Sequence, residues 1–181
     1  MPSGTIAHQL VLAWLAGLVD GDGCIRIARR APPKSSQRAN PIFSLEVTVG
    51  QNCEATLDIV RALLGEELAL ECGKSTTVGR VAEGKAPTKT LTLRSDKAVK
   101  LLRAIRPYLR RKDLEAELGI EFGERVQAVH ARRRASGRGL KIPLPPEEIA
   151  YREACHQRLS ALKPRGPQSA YEGARQCQRA S

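Results

Sequence analysis

Residues 15–23 read Leu15-Ala16-Gly17-Leu18-Val19-Asp20-Gly21-Asp22-Gly23, an apolar run that ends in two aspartates interleaved with glycines. Apolar residues at helical spacing predict a helix with one apolar stripe, which is formed by Val11, Trp14, Leu15, Leu18 and Val19. Ala13, Gly17 and Gly21 lie four residues apart on another face, where a second backbone can approach closely. Glycine inside a helix lowers helix stability by roughly 1 kcal/mol relative to alanine. Two glycines on this face therefore indicate that the close approach of a second backbone is functional.

The charge of the chain favours a polyanionic partner. Lys and Arg number 30 against 19 Asp and Glu among 181 residues, which gives a formal net charge of +11. Segments 24–50 and 69–94, which alternate like β-hairpins, hold ten basic and three acidic residues. Aromatic residues make up only 3% of the chain, which argues against a stacking platform for single-stranded nucleic acid. A basic sheet that lies on duplex DNA fits this distribution.

Cysteine usage argues for reduced thiols and against a zinc site. The five cysteines, at positions 24, 53, 72, 155 and 177, form no Cys-x-x-Cys pair, and the chain has only three histidines. No apolar run approaches the length of a transmembrane helix, and the first residues lack a signal-peptide pattern. We therefore expect a soluble, intracellular protein with no membrane partner, in an organelle or in a prokaryotic cytoplasm.

The periodicity predicts a helix–hairpin–helix–hairpin–helix order. The first helix spans about residues 8–21, and the second begins at an Asn52 N-cap and ends at Gly65. Strand three lies within 68–81, and the inward-facing residues of the other strands are Ile25, Ile27, Phe43, Leu45, Val47, Val49, Leu91 and Leu93. A third helix follows a Ser95 cap, with an apolar stripe of Ala98, Leu101, Leu102 and Ile105.

The C-terminal third predicts helices rather than strands. One helix spans about 113–134, and a second begins at Pro145-Pro146 and extends toward Leu162. These patterns divide the chain into a core of residues 1–123, a helical extension of residues 124–162 and a flexible tail of residues 163–181.

The run at 15–23 resembles the signature of the LAGLIDADG homing endonucleases and departs from it only at Val19 and Gly21. The predicted element order also matches the fold of that family over roughly residues 6–123. The resemblance implies an α+β, αββαββα fold. In that fold a four-stranded antiparallel, saddle-shaped sheet binds DNA and helices cover its other face.

Two further segments are similar to those of the family. Gln51 follows strand two in Val49-Gly50-Gln51, and residues 107–112 read Pro-Tyr-Leu-Arg-Arg-Lys. Judged from the residues alone, Gln51 could equally be an exposed residue at the end of a strand. Residues 107–112 could equally be a solvated basic run. By resemblance, Asp22, Gln51 and Lys112 are catalytic: Asp22 and the Gly21 carbonyl hold Mg²⁺ or Mn²⁺, Gln51 orients water and Lys112 supplies positive charge.

The resemblance also implies partners. One signature copy implies a homodimer that pairs through Ala13, Gly17, Asp20 and Gly21, with Asp20 in a structural role. Sequence readout of double-stranded DNA is expected from outward strand residues, with Glu46 accepting from a cytosine amine. The full set of expected DNA-binding residues is Arg26, Arg30, Lys34, Ser44, Glu46, Thr48, Lys74, Arg80, Thr90, Thr92 and Arg94.

By resemblance, the function is metal-dependent hydrolysis of both strands of a long pseudo-palindromic DNA site, which promotes mobility of a host intron or intein. Two alternatives remain: a maturase that binds intron RNA, and a non-catalytic DNA-binding regulator. The intact Asp22 and the full set of strand charges favour the nuclease.

Overall fold

The structure is a computed structural model, and it describes residues 5–32, 40–77, 88–135 and 144–163. In these residues the chain forms helices and strands in the order α1 (Ile6–Asp22), β1 (Gly23–Arg30), β2 (Ile42–Gln51), α2 (Glu54–Leu68), β3 (Lys74–Thr77), β4 (Thr88–Arg94), α3 (Asp96–Ile105), α4 (Asp113–Ala135) and α5 (Pro146–Ala161). A 3₁₀ turn at Arg106–Tyr108 joins α3 to the loop before α4.

The strands form one antiparallel sheet in the order β1-β2-β4-β3. The inward residues predicted by alternation are all buried, from Ile25 in β1 to Leu93 in β4, and so is the predicted stripe of α3. Helices α1, α3 and α4 pack on this inward face, so the opposite face of the sheet stays outward. The α+β class and the antiparallel sheet are confirmed.

Three local predictions differ from the structure. Trp14 is 43% exposed, because the buried face of α1 consists of Leu12, Leu15, Ala16, Val19 and Asp20. Cys53, not Asn52, is the N-cap of α2. The second helix also continues past Gly65, and Ala69 takes the left-handed conformation after its last turn, with φ of 48°.

Two glycines let α4 pack closely against the core. A Cβ at Gly123 would lie 2.2 Å from Cγ2 of Val99, and a Cβ at Gly119 would lie 3.1 Å from Cδ1 of Leu45. Helix α4 therefore continues through both glycines, although glycine lowers helix propensity. The predicted boundary between residues 123 and 124 falls inside this helix.

Helix α5 covers the edge strand β1. Nδ1 of His156 donates a hydrogen bond to the carbonyl oxygen of Ile27 at 2.7 Å, and Arg29 pairs with Glu153 at 2.9 Å. The Lys163 ammonium lies 3.2 Å from Sγ of Cys24. Because an uncovered edge strand can pair with other chains, these contacts protect the β1 edge.

The cysteines of the described residues, Cys24, Cys53, Cys72 and Cys155, have free thiols. Among the helices that the structure describes, none combines the length and apolarity needed to cross a membrane. Apart from Lys163, the predicted tail lies outside the described residues.

Candidate active site and nucleic-acid interface

Asp22 and Gln51 meet where α1 ends and β2 ends. The antiparallel register pairs Gly23 with Val49, so the start of β1 lies beside the end of β2. Nε2 of Gln51 donates a hydrogen bond to Oδ2 of Asp22 at 2.5 Å. The Asp22 side chain is otherwise exposed at the helix end. The structure thus brings together two of the three residues that the sequence predicted to be catalytic.

Asp20, two residues earlier, has a different environment. It is only 8% exposed, and its carboxylate accepts hydrogen bonds from the backbone N–H groups of Arg110, Arg111 and Lys112 at 2.6, 3.1 and 2.9 Å. These bonds lie within one chain. Asp20 therefore ties the end of α1 to the 110–112 loop, and the structure does not place it on the exposed face where the sequence predicted a dimer contact.

Lys112 donates a second set of hydrogen bonds, from the 110–112 loop to the end of α1. Its Nζ donates to the carbonyl oxygens of Val19, Asp20 and Gly23 at 2.7, 2.8 and 2.9 Å. An ammonium has three N–H donors, so these carbonyls use all of them. Burial lowers the pKa of the Lys112 ammonium, and the Asp20 carboxylate opposes the shift only in part.

Lys112 makes structural contacts, and the catalytic role that the resemblance implies for it stays a prediction. Its ammonium caps the carbonyl end of α1, where positive charge is favourable. Together with the Asp20 carboxylate it forms a reciprocal link, which we call the α1 clasp, between the end of α1 and residues 110–112. The sequence alone could not show this, because the partners of both side chains are backbone atoms.

The oxygen donors at the end of α1 suit a hard divalent cation. They are the Asp22 carboxylate and the Gly21 carbonyl, and oxygen ligands are those that Mg²⁺ prefers. Within the residues that the structure describes, no three His, Cys, Asp or Glu side chains cluster as a metal site. Mg²⁺ needs only one or two carboxylates from a protein when phosphates and water supply its other ligands, so these two donors fit part of such a coordination shell.

The outward face of the sheet changes in character with distance from Asp22. Near the site its β2 and β4 residues are uncharged, with Thr48 and Thr92 in hydroxyl contact at 3.3 Å and Thr90 opposite Gly50. Farther along the strands it is charged. Arg26 of β1, Glu46 of β2 and Arg94 of β4 lie directly opposite one another in a single row.

Glu46 is the buried centre of the charged part. Its side chain is 0% exposed, whereas those of Arg26, Arg30 and Arg94 are 52%, 51% and 57% exposed. Burial alone would raise the pKa of the Glu46 carboxyl, but hydrogen bonds from Arg94 and Arg26 and the charges of Arg26 and Arg30 outweigh it, so the pKa is lowered. The structure does not present Glu46 to a base, which differs from its predicted contact with cytosine.

The other predicted DNA-binding residues divide into three groups. Ser44 lies beside Glu46, with its Oγ 3.5 Å from Oε1 of that residue. The backbone of Lys74 pairs with that of Leu91 across β3 and β4, and its DNA contact stays a prediction. Lys34 and Arg80 lie outside the described residues.

An exposed surface runs along α1, and the sequence predicted only part of it, at Gly17 and Gly21. Ile6, Leu10 and Trp14 are 77%, 65% and 43% exposed, and they share a face with the exposed Gly17 and Gly21. A Cβ at either glycine would meet no atom of the described chain within 4 Å. Packing within the chain therefore does not account for these glycines. In the sequence, this exposed face is marked by the spacing of Ile6, Leu10 and Trp14 by four residues.

The sequence matches no family model, and no curated protein is significantly similar to it. Solved structures, in contrast, resemble the fold closely. One is the homing endonuclease I-CvuI in complex with its target, with a TM-score of 0.61, 17% identity and coverage of 97% of both chains. Another is the archaeal intron-encoded homing endonuclease I-Vdi141I complexed with DNA, with a TM-score of 0.63, 10% identity and coverage of 89% of both chains.

The LAGLIDADG homing endonuclease I-SmaMI bound to cleaved DNA is similar over 84% of this chain and 43% of its own, with a TM-score of 0.56 and 17% identity. The resemblance carried by residues 15–23 and the architecture of the structure therefore agree. The chain has the fold of the LAGLIDADG homing endonucleases.

Proposed function

We propose that this protein is a homodimeric, metal-dependent endonuclease that cuts both strands of a long pseudo-palindromic DNA site. The observation that carries the proposal is the exposed Asp22 carboxylate, held by Gln51, at the end of a sheet with a basic outward face. The similar structures include endonucleases complexed with DNA, one of them bound to cleaved DNA. By the same likeness to an intron-encoded enzyme, the protein promotes mobility of a host intron or intein.

The exposed face of α1 supports the dimer. Two copies that pair across a two-fold axis would bury Ile6, Leu10 and Trp14 against each other, at about 25 cal/mol per Å² of apolar area removed from water. Gly17 and Gly21, whose Cβ positions are open in the single chain, would let the two backbones approach. I-SmaMI, of which this chain covers 43%, is long enough to hold two such units in one chain.

This pairing completes the site, because it brings Asp22 of each copy toward the other near the axis. Two carboxylates this close repel each other unless a cation lies between them. Asp22 and the Gly21 carbonyl would hold the cation, which is Mg²⁺ or Mn²⁺ in this proposal. When bound, a divalent cation supplies positive charge that stabilises the attacked phosphate and the leaving oxygen.

The other residues of the site position these groups. The Gln51 amide donates to Asp22 through its nitrogen, and its carbonyl oxygen can accept a hydrogen bond from the attacking water, although an amide is not a base at neutral pH. The α1 clasp of Asp20 and Lys112 fixes the helix end that carries Asp22. Arginines of the outward face supply affinity for the phosphate backbone and contacts to bases.

Selection of cleaved molecules from a randomised duplex library tests the proposal without a known target. We expect double-strand cleavage at related sequences with Mg²⁺ or Mn²⁺ and none with EDTA. Asp22→Asn should reduce cleavage at least about 100-fold, because a weaker cation site loses several kcal/mol of transition-state stabilisation. Asp58→Asn, which changes an exposed aspartate of α2, is the matched control.

Three outcomes would contradict the proposal. Metal-independent cleavage, or full activity in Asp22→Asn, would exclude the proposed site. Tight, sequence-specific binding without cutting would instead support a DNA-binding regulator.

A further inference from the structure

We propose that Glu46 is a positioning residue that aims the surrounding arginines at guanines in the major groove. This inference rests on the proposed function, because it concerns how the same sheet reads its DNA. It assigns Glu46 no contact with a base. The arginines make the contacts, and Glu46 determines where their guanidinium groups lie.

The hydrogen bonds around Glu46 occupy both carboxylate oxygens. Oε2 accepts from Nε and Nη2 of Arg26 at 3.0 and 2.7 Å. Oε1 accepts from Nε of Arg94 at 2.9 Å and from Nη2 of Arg30. A carboxylate that is 0% exposed and holds three guanidiniums has little capacity left for a cytosine amine.

The same bonds leave donors on each arginine for DNA. The contact with Glu46 uses only the Nε–H of Arg94, so its two Nη groups remain for a base as far as the described residues are concerned. That pair is the donor edge that binds O6 and N7 of guanine bidentately. Counting contacts with the described residues alone, Arg26 keeps its Nη1 donors, and Arg30 keeps Nε and Nη1. Arg94 is therefore the principal expected guanine reader, with Arg26 and Arg30 as flanking contacts.

The sheet geometry places this readout at a defined distance from the cut. Arg26, Glu46 and Arg94 form one row across three strands, and Arg26 follows Asp22 by four residues. At about 3.3 Å per strand residue from Gly23 to Arg26, plus about 3.8 Å for the step from Asp22 to Gly23, the row lies roughly 14 Å from Asp22. Successive bases of one DNA strand are about 3.4 Å apart, so the guanine is expected about four base pairs from the cleaved bond in each half-site.

The net charge of the Glu46 cluster leads to an unusual prediction for Glu46→Gln. The three arginines and Glu46 carry a formal +3 and −1, a net +2, and the substitution raises this to +3. Backbone affinity should therefore increase, because phosphate contacts depend on positive charge. Discrimination between bases should fall, because a neutral amide accepts weaker hydrogen bonds from the guanidiniums than a carboxylate does. The amide also carries no negative charge to offset the mutual repulsion of the guanidiniums. A positioning role therefore predicts that backbone affinity and base discrimination change in opposite directions.

The experiment is to sequence the fraction of a randomised duplex library that full-length protein binds, at several salt concentrations. Wild type should select guanine at one position per half-site, Glu46→Gln should weaken that preference about tenfold, and its affinity for random duplex should rise. Glu124→Gln is the matched control, since it makes the same charge change in a helix-borne pair with Arg103. It should leave the guanine preference unchanged.

Arg94→Gln provides a second test that does not depend on the folding of Glu46→Gln, and it should abolish the same guanine preference. The inference is overturned if wild type selects no guanine at such a position, or if either folded variant keeps the wild-type preference. Cleavage of the selected sites with Mg²⁺ separates the two proposals. Guanine selection that depends on Glu46 without any cleavage refutes only the nuclease, whereas cleavage with an unchanged preference in Glu46→Gln refutes only the role of Glu46.

Discussion

Asp20 and Glu46 are both buried carboxylates, but the groups that satisfy them differ in kind. Asp20 accepts hydrogen bonds from backbone N–H groups of residues 110–112, whereas Glu46 accepts them from three half-exposed arginines. Backbone amides cannot leave without disrupting the loop, but guanidiniums at a surface can exchange contacts with a ligand. The end of α1 is therefore a fixed support for Asp22, and the outward face of the sheet is an adjustable reading surface.

The largest expected effect on stability is that of Asp20→Ala. The change removes the acceptor of three N–H groups, and charged hydrogen bonds of this kind together contribute about 3 kcal/mol. We expect chemical denaturation to show a loss of that size in the free energy of unfolding. Asp58→Ala, which removes an exposed carboxylate 3.9 Å from Arg61, should cost little, and equal losses would refute the special role of Asp20.

Lys112→Met should come next, with a loss of about 2 kcal/mol, because it removes the charge that caps the carbonyl end of α1. Methionine retains an apolar chain of similar length, so the change isolates the ammonium. The free energy of unfolding measures the effect, and Lys100→Met on the exposed side of α3 is the control. No destabilisation in Lys112→Met would mean that the clasp does not hold the helix end.

Glu46→Gln should destabilise the protein by only about 1 kcal/mol, since the arginines that bind Glu46 remain hydrated. The effect should depend on pH. The folded pKa of Glu46 lies below its ordinary value of 4.5, so its contribution is fully present above about pH 4.5 and is lost as the pH falls through the folded value. Denaturation of wild type and variant should therefore differ at pH 7 and converge in acid. A difference that is independent of pH would contradict the ionic character of this cluster.

Gln51→Ala should have the smallest effect on stability, below about 0.5 kcal/mol, because the Gln51–Asp22 contact is exposed. Cleavage should fall much more than stability does, since the orientation of Asp22 and water changes. Matched measurements of unfolding and cleavage rate test this. If stability and cleavage rate fell by similar free energies, Gln51 would have a structural role at the site and would not act on the reacting groups.

Much of the sheet could be predicted, because the alternation of apolar and polar residues along a strand is visible in the local sequence. The inward residues from Ile25 to Leu93 are an example. The first helix, predicted over about residues 8–21, spans Ile6–Asp22. The burial of Glu46 could not be predicted, because it depends on the register of three strands that bring residues 26, 46 and 94 into one row. A glutamate in an alternating strand looks the same whether it faces water or arginines.

The helices show a second limit of periodicity. Apolar spacing identified α1 but put Trp14 in one stripe with Leu15 and Val19, because an exposed apolar face can have the same period as one that packs inside. Gly119 and Gly123 lower the propensity of the isolated helix, yet both are sites of close packing, against Leu45 and Val99 respectively. Propensity describes the isolated helix, and tertiary contacts determine where glycine is required.

A mixed dimer tests the central claim most directly. One wild-type copy and one Asp22→Asn copy, carrying different tags and purified through both, are incubated with a selected target and Mg²⁺. If each copy supplies the Asp22 that cuts one strand, the mixed dimer should nick the duplex and leave the opposite strand intact. Double-strand cleavage at the wild-type rate, or recovery of the protein only as monomers, would contradict the account.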